Sequence, residues 1–401
     1  MQPRLREVKR SFSLRRAAFL GSGLALIAVT YGLVRLAFGL FLPDVQRDLD
    51  LEATAAGWVS AAASACYCVG ALAGFVLARS HARALVLSAA VTAAAGALGM
   101  AASSGAVLFS IAAVVGSASA GLASPSLVRL VEERVSAPGR ARAQAFVNAG
   151  TGPGLVVAGV LALLLLPDWR TAWAVSGVAA VLVGAAVLVG AGRRDEHGGG
   201  RGPSTPGRRW SRAHARLLVV ALLYGAGTAS VWTFGRSTLV DAGASTVTSV
   251  LLWVAVGVGG AAVTVTSRRT AGLRARTLWL VTALVTAAAV AVEGVVPSSG
   301  AVSLAAGVVF GWGYTAATGA LIAWTTEIAP EHAAAGTSVL FVVLVLGQAV
   351  GAAALGTVLD AAGPAVAFLL AAAVTAIGAV GSVRSRRSQE RTELDLPVAG
   401  A

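Results

Sequence analysis

Residues 23–45 read GLALIAVTYGLVRLAFGLFLPDV. A bilayer span needs about 20 apolar residues, and this stretch is long enough, yet Arg35 sits inside it. A charged side chain in hydrocarbon is costly and usually has work to do there. Whether the stretch is a span at all is decided by the rest of the chain. Of 401 residues, 57% are hydrophobic and 12% charged, and the mean hydropathy is +0.79. A soluble domain carries roughly 25% charged residues. Half that fraction leaves too few polar side chains to cover a water-facing surface. The composition therefore rejects a soluble globular protein and predicts many membrane spans.

The net charge of +13 might suggest nucleic acid, but its placement argues otherwise. Of 31 Lys plus Arg, 27 fall in six short segments: Arg4–Arg16, Arg79–Arg83, Arg129–Arg142, Arg193–Arg216, Arg268–Arg276 and Arg384–Arg391. The other four are Arg35, Arg47, Arg170 and Arg236. Basic segments that alternate with apolar runs follow the positive-inside rule of membrane topology. Phe12 and Trp210 are the only aromatic residues in them, too few for the run of stacking platforms that single-stranded nucleic-acid binding uses.

The apolar runs predict spans over 17–42, 57–78, 84–104, 107–128, 144–166, 172–192, 216–240, 249–267, 277–296, 302–325, 335–358 and 365–383. The first is too long for the apolar core of a signal peptide and is read as a retained helix. Twelve spans put both termini on the basic, cytoplasmic side. One loop breaks the charge pattern: EIAPEHAAA, 327–335, has no Lys or Arg and is assigned to that side by the helix count alone. The Gly-, Pro- and Arg-rich stretch 193–215 reads as a solvated linker. It divides the chain into a tail (1–16), a first bundle (17–192), a second bundle (216–383) and a second tail (384–401). The halves echo each other. Tyr31-Gly32 in the first span of one matches Tyr224-Gly225 in the first span of the other, and a basic loop follows the second span of each. Two parallel six-helix repeats are a known transporter architecture.

This pattern resembles the major facilitator superfamily over nearly the whole length. GFVLARSHAR, 74–83, is similar to that family's signature after its second helix: Gly74, Arg79 and Arg83 fit, while Ala78 replaces its Asp and His81 a Gly. The copy after the eighth span keeps Gly272 and Arg274, with Thr266 in place of the Asp. NAGTGPGLVVAG, 148–159, resembles the Gly-Pro motif of antiporter members, and PDWRTAW, 167–173, the Trp-Arg loop between helices 5 and 6. The arginine that members often carry in helix 4 is absent from SIAAVVGSASAG, 110–121. Arg35 followed by Leu42-Pro43, together with GTSVLFVVLVLGQAVGAAALG, 336–356, is similar to the YbfB-like and cyanate-transporter-like bacterial members. The resemblance implies an all-α membrane protein of twelve helices in two pseudo-symmetric bundles. It also implies secondary transport by alternating access across the cytoplasmic membrane, with gating roles for Arg79, Arg83, Arg274, Gly152 and Pro153. Without the motif's Asp the arginine loop has lost its partner, and ordinary positive-inside charge is the competing account. The glycines 150, 152, 154 and 159 permit close helix contact as readily as they permit an antiport-specific kink at Pro153.

Enzyme chemistry finds no support. His81, His197, His214 and His332 all fall in predicted loops with no zinc-site spacing. There is no phosphate-binding GxxxxGK[ST] motif, and the one lysine is Lys9. No cofactor is expected. Cys66 and Cys68, two apart on a helix, are read as packing residues. Polar and aromatic residues inside spans remain as cavity candidates: Tyr31, Tyr67, Asn148, Trp232, Trp312, Tyr314 and Gln348, with Trp253 weighed beside them. Each has an alternative as interfacial anchor or interhelical bond.

Arg35 lies eight residues before Pro43, roughly 12 Å along the helix. Snorkelling spans that distance only in part, and Tyr31, Arg35 and Gly39 share a helical face, so a cavity position is expected. No acid lies deep in the first six spans, so a substrate with an anionic or polar group would supply the missing charge. Arg236 is expected either to reinforce that field or to sit at the interface. Glu293 is the one acidic residue in the spans away from an extreme end, and is the candidate for proton coupling. The expected partners are a small-molecule substrate, protons and lipid, with no nucleic acid, for a chain acting as a monomer. Multidrug efflux by proton antiport is the alternative function. A sensor or assembly factor would need a soluble domain, which no loop is long enough to hold.

Overall fold

The computed structural model describes residues 2–192, 208–270 and 272–383. Residues 193–207 of the expected linker and the tail 384–401 lie outside them. Among the described residues every regular element is helical. Ten runs are long and apolar enough to cross a membrane. Two of these are too long for one crossing. A helix over Ala53–Ala101, 49 residues, would extend about 74 Å, more than twice a hydrocarbon core of about 30 Å.

Packing shows where the long runs fold back. Gly70 abuts Ala118 while Gly96 abuts Gly116, so residues 26 apart meet one helix at the same height. No straight helix can do that, and the break is at His81, whose φ −130° and ψ 31° are not helical. In the run Ala335–Val380, Leu344 and Ala371 likewise both reach the 225–227 region, and the break is at Gly363 with φ +80°. A positive φ there suits glycine alone, and Pro364 follows it. With each of these two long runs divided at its break, the ten runs give twelve helices among the described residues. These are α1 (Arg15–Leu49), α2 (53–80), α3 (82–101), α4 (Ala106–Arg134), α5 (Ala137–Leu165), α6 (Trp169–Gly190), α7 (Trp210–Asp241), α8 (Thr246–Thr266), α9 (Ala275–Val295), α10 (Gly300–Ile328), α11 (335–362) and α12 (364–380).

Several boundaries differ from the sequence-based expectation. The tail 1–16 is helical from Gln2, and the part of the linker that is described is helical from Arg208. Helix α1 does not stop at Pro43 but runs to Leu49, where Asp50 ends it at φ 50°. Pro43 forfeits one backbone bond, yet the residues after it are held by polar contacts to α7. Arg35 therefore lies 14 residues, roughly 21 Å, from the helix end rather than 12 Å. Helix α5 is interrupted at 149–150 and restarts at Thr151, with Pro153 in the new first turn where a missing N–H costs little.

Small residues carry the packing. Gly32 and Gly150 press α1 against α5, through the backbones of Gly154 and Leu24. Gly225, Gly347 and Gly351 press α7 against α11 in the same way. The first and fifth helices of each half thus pair alike, which is the repeat expected from the two Tyr-Gly pairs. Each first helix also carries a π-helical segment, Ala28–Leu36 in α1 and Ser230–Phe234 in α7. Between lipid-solvated helices, close backbone approach replaces the hydrophobic effect as the source of association. Large apolar side chains such as Val189, Val265, Val107 and Leu164 face outward at 74–81% exposure. That is ruinous in water at about 25 cal/mol per Å² and harmless in hydrocarbon.

The bundle has one end bearing Arg83, Arg129 and Arg274 and another bearing Asp44, Asp168 and Asp360, termed here the basic and acidic ends. The loop without Lys or Arg belongs to the basic end, because Glu327 accepts a bond from the Ala275 amide at 3.1 Å. At the acidic end Asp168 caps α6 by accepting from the Thr171 amide and hydroxyl, and these bonds hold its carboxyl below the usual carboxylate range. The neighbouring Trp169 donates to Asp48 at 2.9 Å and Arg170 to the Ser103 carbonyl at 3.2 Å, tying α6 and α3 to the end of α1.

Candidate functional site

The π segment of α1 places Arg35 between the two halves. A π turn adds a residue, re-aims the side chains that follow, and is common at functional sites. The Arg35 Nη2 donates to Gln348 Oε1 on α11 at 3.0 Å, and its guanidinium carbon lies 4.6 Å from the ring centre of Tyr67 on α2. Gln348 Nε2 donates to the Tyr314 hydroxyl on α10 at 3.3 Å. Tyr67 and Tyr31 hydroxyls are 3.1 Å apart. Five side chains from α1, α2, α10 and α11 thus form one chain of contacts across the interface.

A cleft with about 420 Å³ of unfilled space, part of it open, lies beside this chain. Arg35, Gln348, Ser60, Ser64, Ser117, Trp232 and Thr233 supply its polar lining. Trp232 meets Tyr314 edge-on at 5.2 Å and Trp253 at 6.1 Å, which gives one wall an aromatic face. Among the described residues no carboxylate lies within ion-pair distance of Arg35. Its partners are a neutral amide and a ring face. Cation–π and amide contacts orient a guanidinium without neutralising it.

The structure brings Arg35, Tyr31, Tyr67, Trp232, Tyr314 and Gln348 together, as the sequence suggested, and leaves three candidates elsewhere. Asn148 ends the first segment of α5 and is exposed. Trp312 donates to Thr266 at 2.9 Å and so links α10 to α8. Arg236 is 1% exposed and neither interfacial nor in the cleft. It donates to Asp44 and, at 2.6 Å, to the Leu40 carbonyl of α1, and at 3.1 Å to Ser249. This is a buried ion pair that fastens the halves at the acidic end. Ser60, Ser64, Ser117 and Thr233 went unnoticed in the sequence, where hydroxyls are scattered through every span.

The remaining candidates are placed as follows. Glu293 is fully buried, beside Gly235 of α7, and neither carboxyl oxygen has a partner. A lipid-facing position is thereby excluded, and it is not among the cleft residues. Arg83 donates to the carbonyls of Leu188, at 3.2 Å, and Gly192, capping α6 within its own half. Arg274 directly precedes α9. Gly150, Gly154 and Gly159 make close helix contacts, whereas a Cβ at Gly152 would meet open space. Cys66 and Cys68 are free thiols.

A family model described as "uncharacterised MFS-type transporter YbfB" matches residues 27–382. No curated protein matches by sequence. Among solved structures, the nucleoside transporter NupG shares 11% identity with a TM-score of 0.74, covering 92% of this chain and 98% of its own. A bacterial homologue of the human lysosomal transporter Spinster, inward-facing and occupied, gives 15%, 0.70, 95% and 97%. The xylose transporter XylE from E. coli, partially occluded and inward open, gives 13%, 0.71, 91% and 96%. At such identities these structures share the fold.

Proposed function

This chain belongs to the YbfB-type family of the major facilitator superfamily, and on that premise we propose that it moves a small anionic solute through the Arg35 cleft by alternating access. As a member it is a multi-pass membrane protein and a secondary transporter, not an enzyme. What supports the anionic reading is the company of Arg35: a permanent cation between the halves, held by Gln348 and Tyr67 and lacking an acid. A substrate carboxylate would supply the counter-charge only while bound, which is the differential interaction that lets a ligand shift a two-state protein. A thermal-shift panel of the purified protein tests this. Organic anions should raise the melting temperature and organic cations should not. Trp232, which lines the cleft and packs against Phe310 and Tyr314 behind it, favours a second reading, efflux of aromatic cationic drugs. Stabilisation by cations alone would establish it.

The basic end is the cytoplasmic one under the positive-inside rule, which places both termini in the cytoplasm. Activity reporters fused after Arg16 and at Gly200 should read cytoplasm, and one at Asp168 should read the outside. A cytoplasmic signal at Asp168 would invert the orientation.

Coupling falls to Glu293. A carboxyl without ionic or hydrogen-bonding partners exchanges a proton once water reaches it, and Gly235 beside it lies next to the Asp44–Arg236 fastening that must open. Glu293→Gln keeps the shape and removes the proton site. It should abolish most proton-driven accumulation while leaving substrate exchange intact. Full uphill transport by that variant would remove Glu293 from the mechanism.

A further inference from the structure

Two fully buried polar atoms on residues lining the cleft are left out of its internal hydrogen bonds. Among the buried side-chain atoms with no partner, those on cleft-lining residues are Ser117 Oγ on α4 and Trp232 Nε1 on α7. Among their neighbours, the Ser60 and Thr233 hydroxyls are 3.0 Å apart, and Gln348 is bonded at both ends. Serines elsewhere in α4 behave differently. Ser119 and Ser126 donate to the carbonyls three residues back, at 2.6 and 2.8 Å. Ser117, 1% exposed, does not. A buried polar atom left unpaired costs about 1–3 kcal/mol, and in the lining of a cleft a ligand is one thing that would complete its bonding.

The chemistry of these atoms specifies what would complete it. An indole N–H can only donate. Arg35 also only donates, and it engages Gln348 with one hydrogen bond. The lining is therefore rich in donors and calls for a ligand rich in acceptors. Arg35 comes from α1 and bonds Gln348 of α11, while Ser117 and Trp232 come from α4 and α7. Leu36, Phe38, Ala63 and Ala229 complete the lining and offer apolar surface for a short carbon body.

We infer that the cleft selects a small monocarboxylate bearing a second, uncharged acceptor oxygen, with the carboxylate on Arg35 and the second oxygen bound by Ser117 and Trp232. The inference rests on the anionic reading above and goes beyond it by assigning a second pole and the residues that discriminate there.

A matched set of probes separates the two. Calorimetric titration of the purified protein with 4-oxopentanoate, pentanoate, 2-pentanone and pentylamine varies one feature at a time. One or two net hydrogen bonds of about 1 kcal/mol each predict that 4-oxopentanoate binds about fivefold to thirtyfold more tightly than pentanoate. In Trp232→Phe and Ser117→Ala the ratio of the two affinities should fall toward one, whatever either affinity does alone, an outcome that general damage to the fold would not give. Equal affinity for the two acids in the wild type overturns the second pole and leaves the anionic reading standing. Binding of neither acid overturns the anionic reading itself, and binding of pentylamine alone replaces it with the cationic one.

Discussion

Arg35→Ala should leave a folded protein that binds its substrate roughly tenfold to a hundredfold more weakly and transports it correspondingly less at low concentration. Among the described residues the Arg35 side chain makes one hydrogen bond, which it donates to a neutral amide. Losing it frees Gln348 Oε1, at a cost of about 1 kcal/mol, while Gln348 Nε2 keeps its bond to Tyr314. Against that, a charge without an acid no longer has to be kept from water. The melting temperature should therefore hardly move. Binding should suffer far more, because a hydrogen bond to a charged group contributes about 1.5–3 kcal/mol, roughly tenfold to a hundredfold in affinity. Arg35→Lys keeps the charge without the planar fork and should fall between the two. Isotope uptake into proteoliposomes and calorimetry on the same preparations check all three. A well-folded Arg35→Ala protein with wild-type affinity would end the anionic reading. A poorly folded one would point to a structural partner for Arg35, which Arg35→Lys should then rescue in melting temperature.

Much of this site was legible because a charge in an apolar run is conspicuous. Arg35 stood out for that reason, and Tyr31, Tyr67 and Gln348 followed as polar groups deep in spans. What the sequence does not carry is azimuth. Spans with weak amphipathicity, each mostly Ala, Val, Leu and Gly, do not say which way Trp312 or Asn148 faces. One turned out to bridge α8 and α10, and the other to end a helix segment in the open. Hydroxyl residues were lost for a related reason: a Ser in a span usually bonds its own helix, as Ser119 does, and nothing in the sequence marks Ser117 as the exception. The fold was easier, since twelve spans follow from hydropathy and charge. The one topological anomaly, the loop at 327–335, joins the basic end through Glu327 and Ala275. Arg236 was misplaced because Pro43 was taken as a helix end. A helix continuing to Leu49 brings Asp44 into register with α7, and the pair becomes visible only then.

That pair carries the last large effect. Arg236 and Asp44 are both buried, and their contact spans the two halves together with Ser237 donating to Gln46 at 2.8 Å and the Thr54 amide donating to Asp360 at 2.7 Å. All three contacts sit at the acidic end, so the structure has that end shut. Opening it means separating a buried ion pair, and each single substitution strands one member. Asp44→Ala leaves Arg236 with a carbonyl and a hydroxyl but no counter-charge, a loss of about 3–5 kcal/mol. Arg236→Ala should cost less, because Asp44 keeps Arg47 at 3.1 Å. Replacing both, as Asp44→Leu with Arg236→Met, removes the stranded charge and should restore most of the melting temperature. It also removes a contact that only the shut state makes, and so should shift the population toward opening at the acidic end. Spin labels at Glu52 and Ser245, exposed on opposite halves there, would read this as a longer distance gaining weight in the double variant. If that variant is as stable as the wild type yet its label distances are unchanged, the pair holds the fold without gating it. If Asp44→Ala melts no lower than Arg236→Ala, the stranded-charge account fails with it.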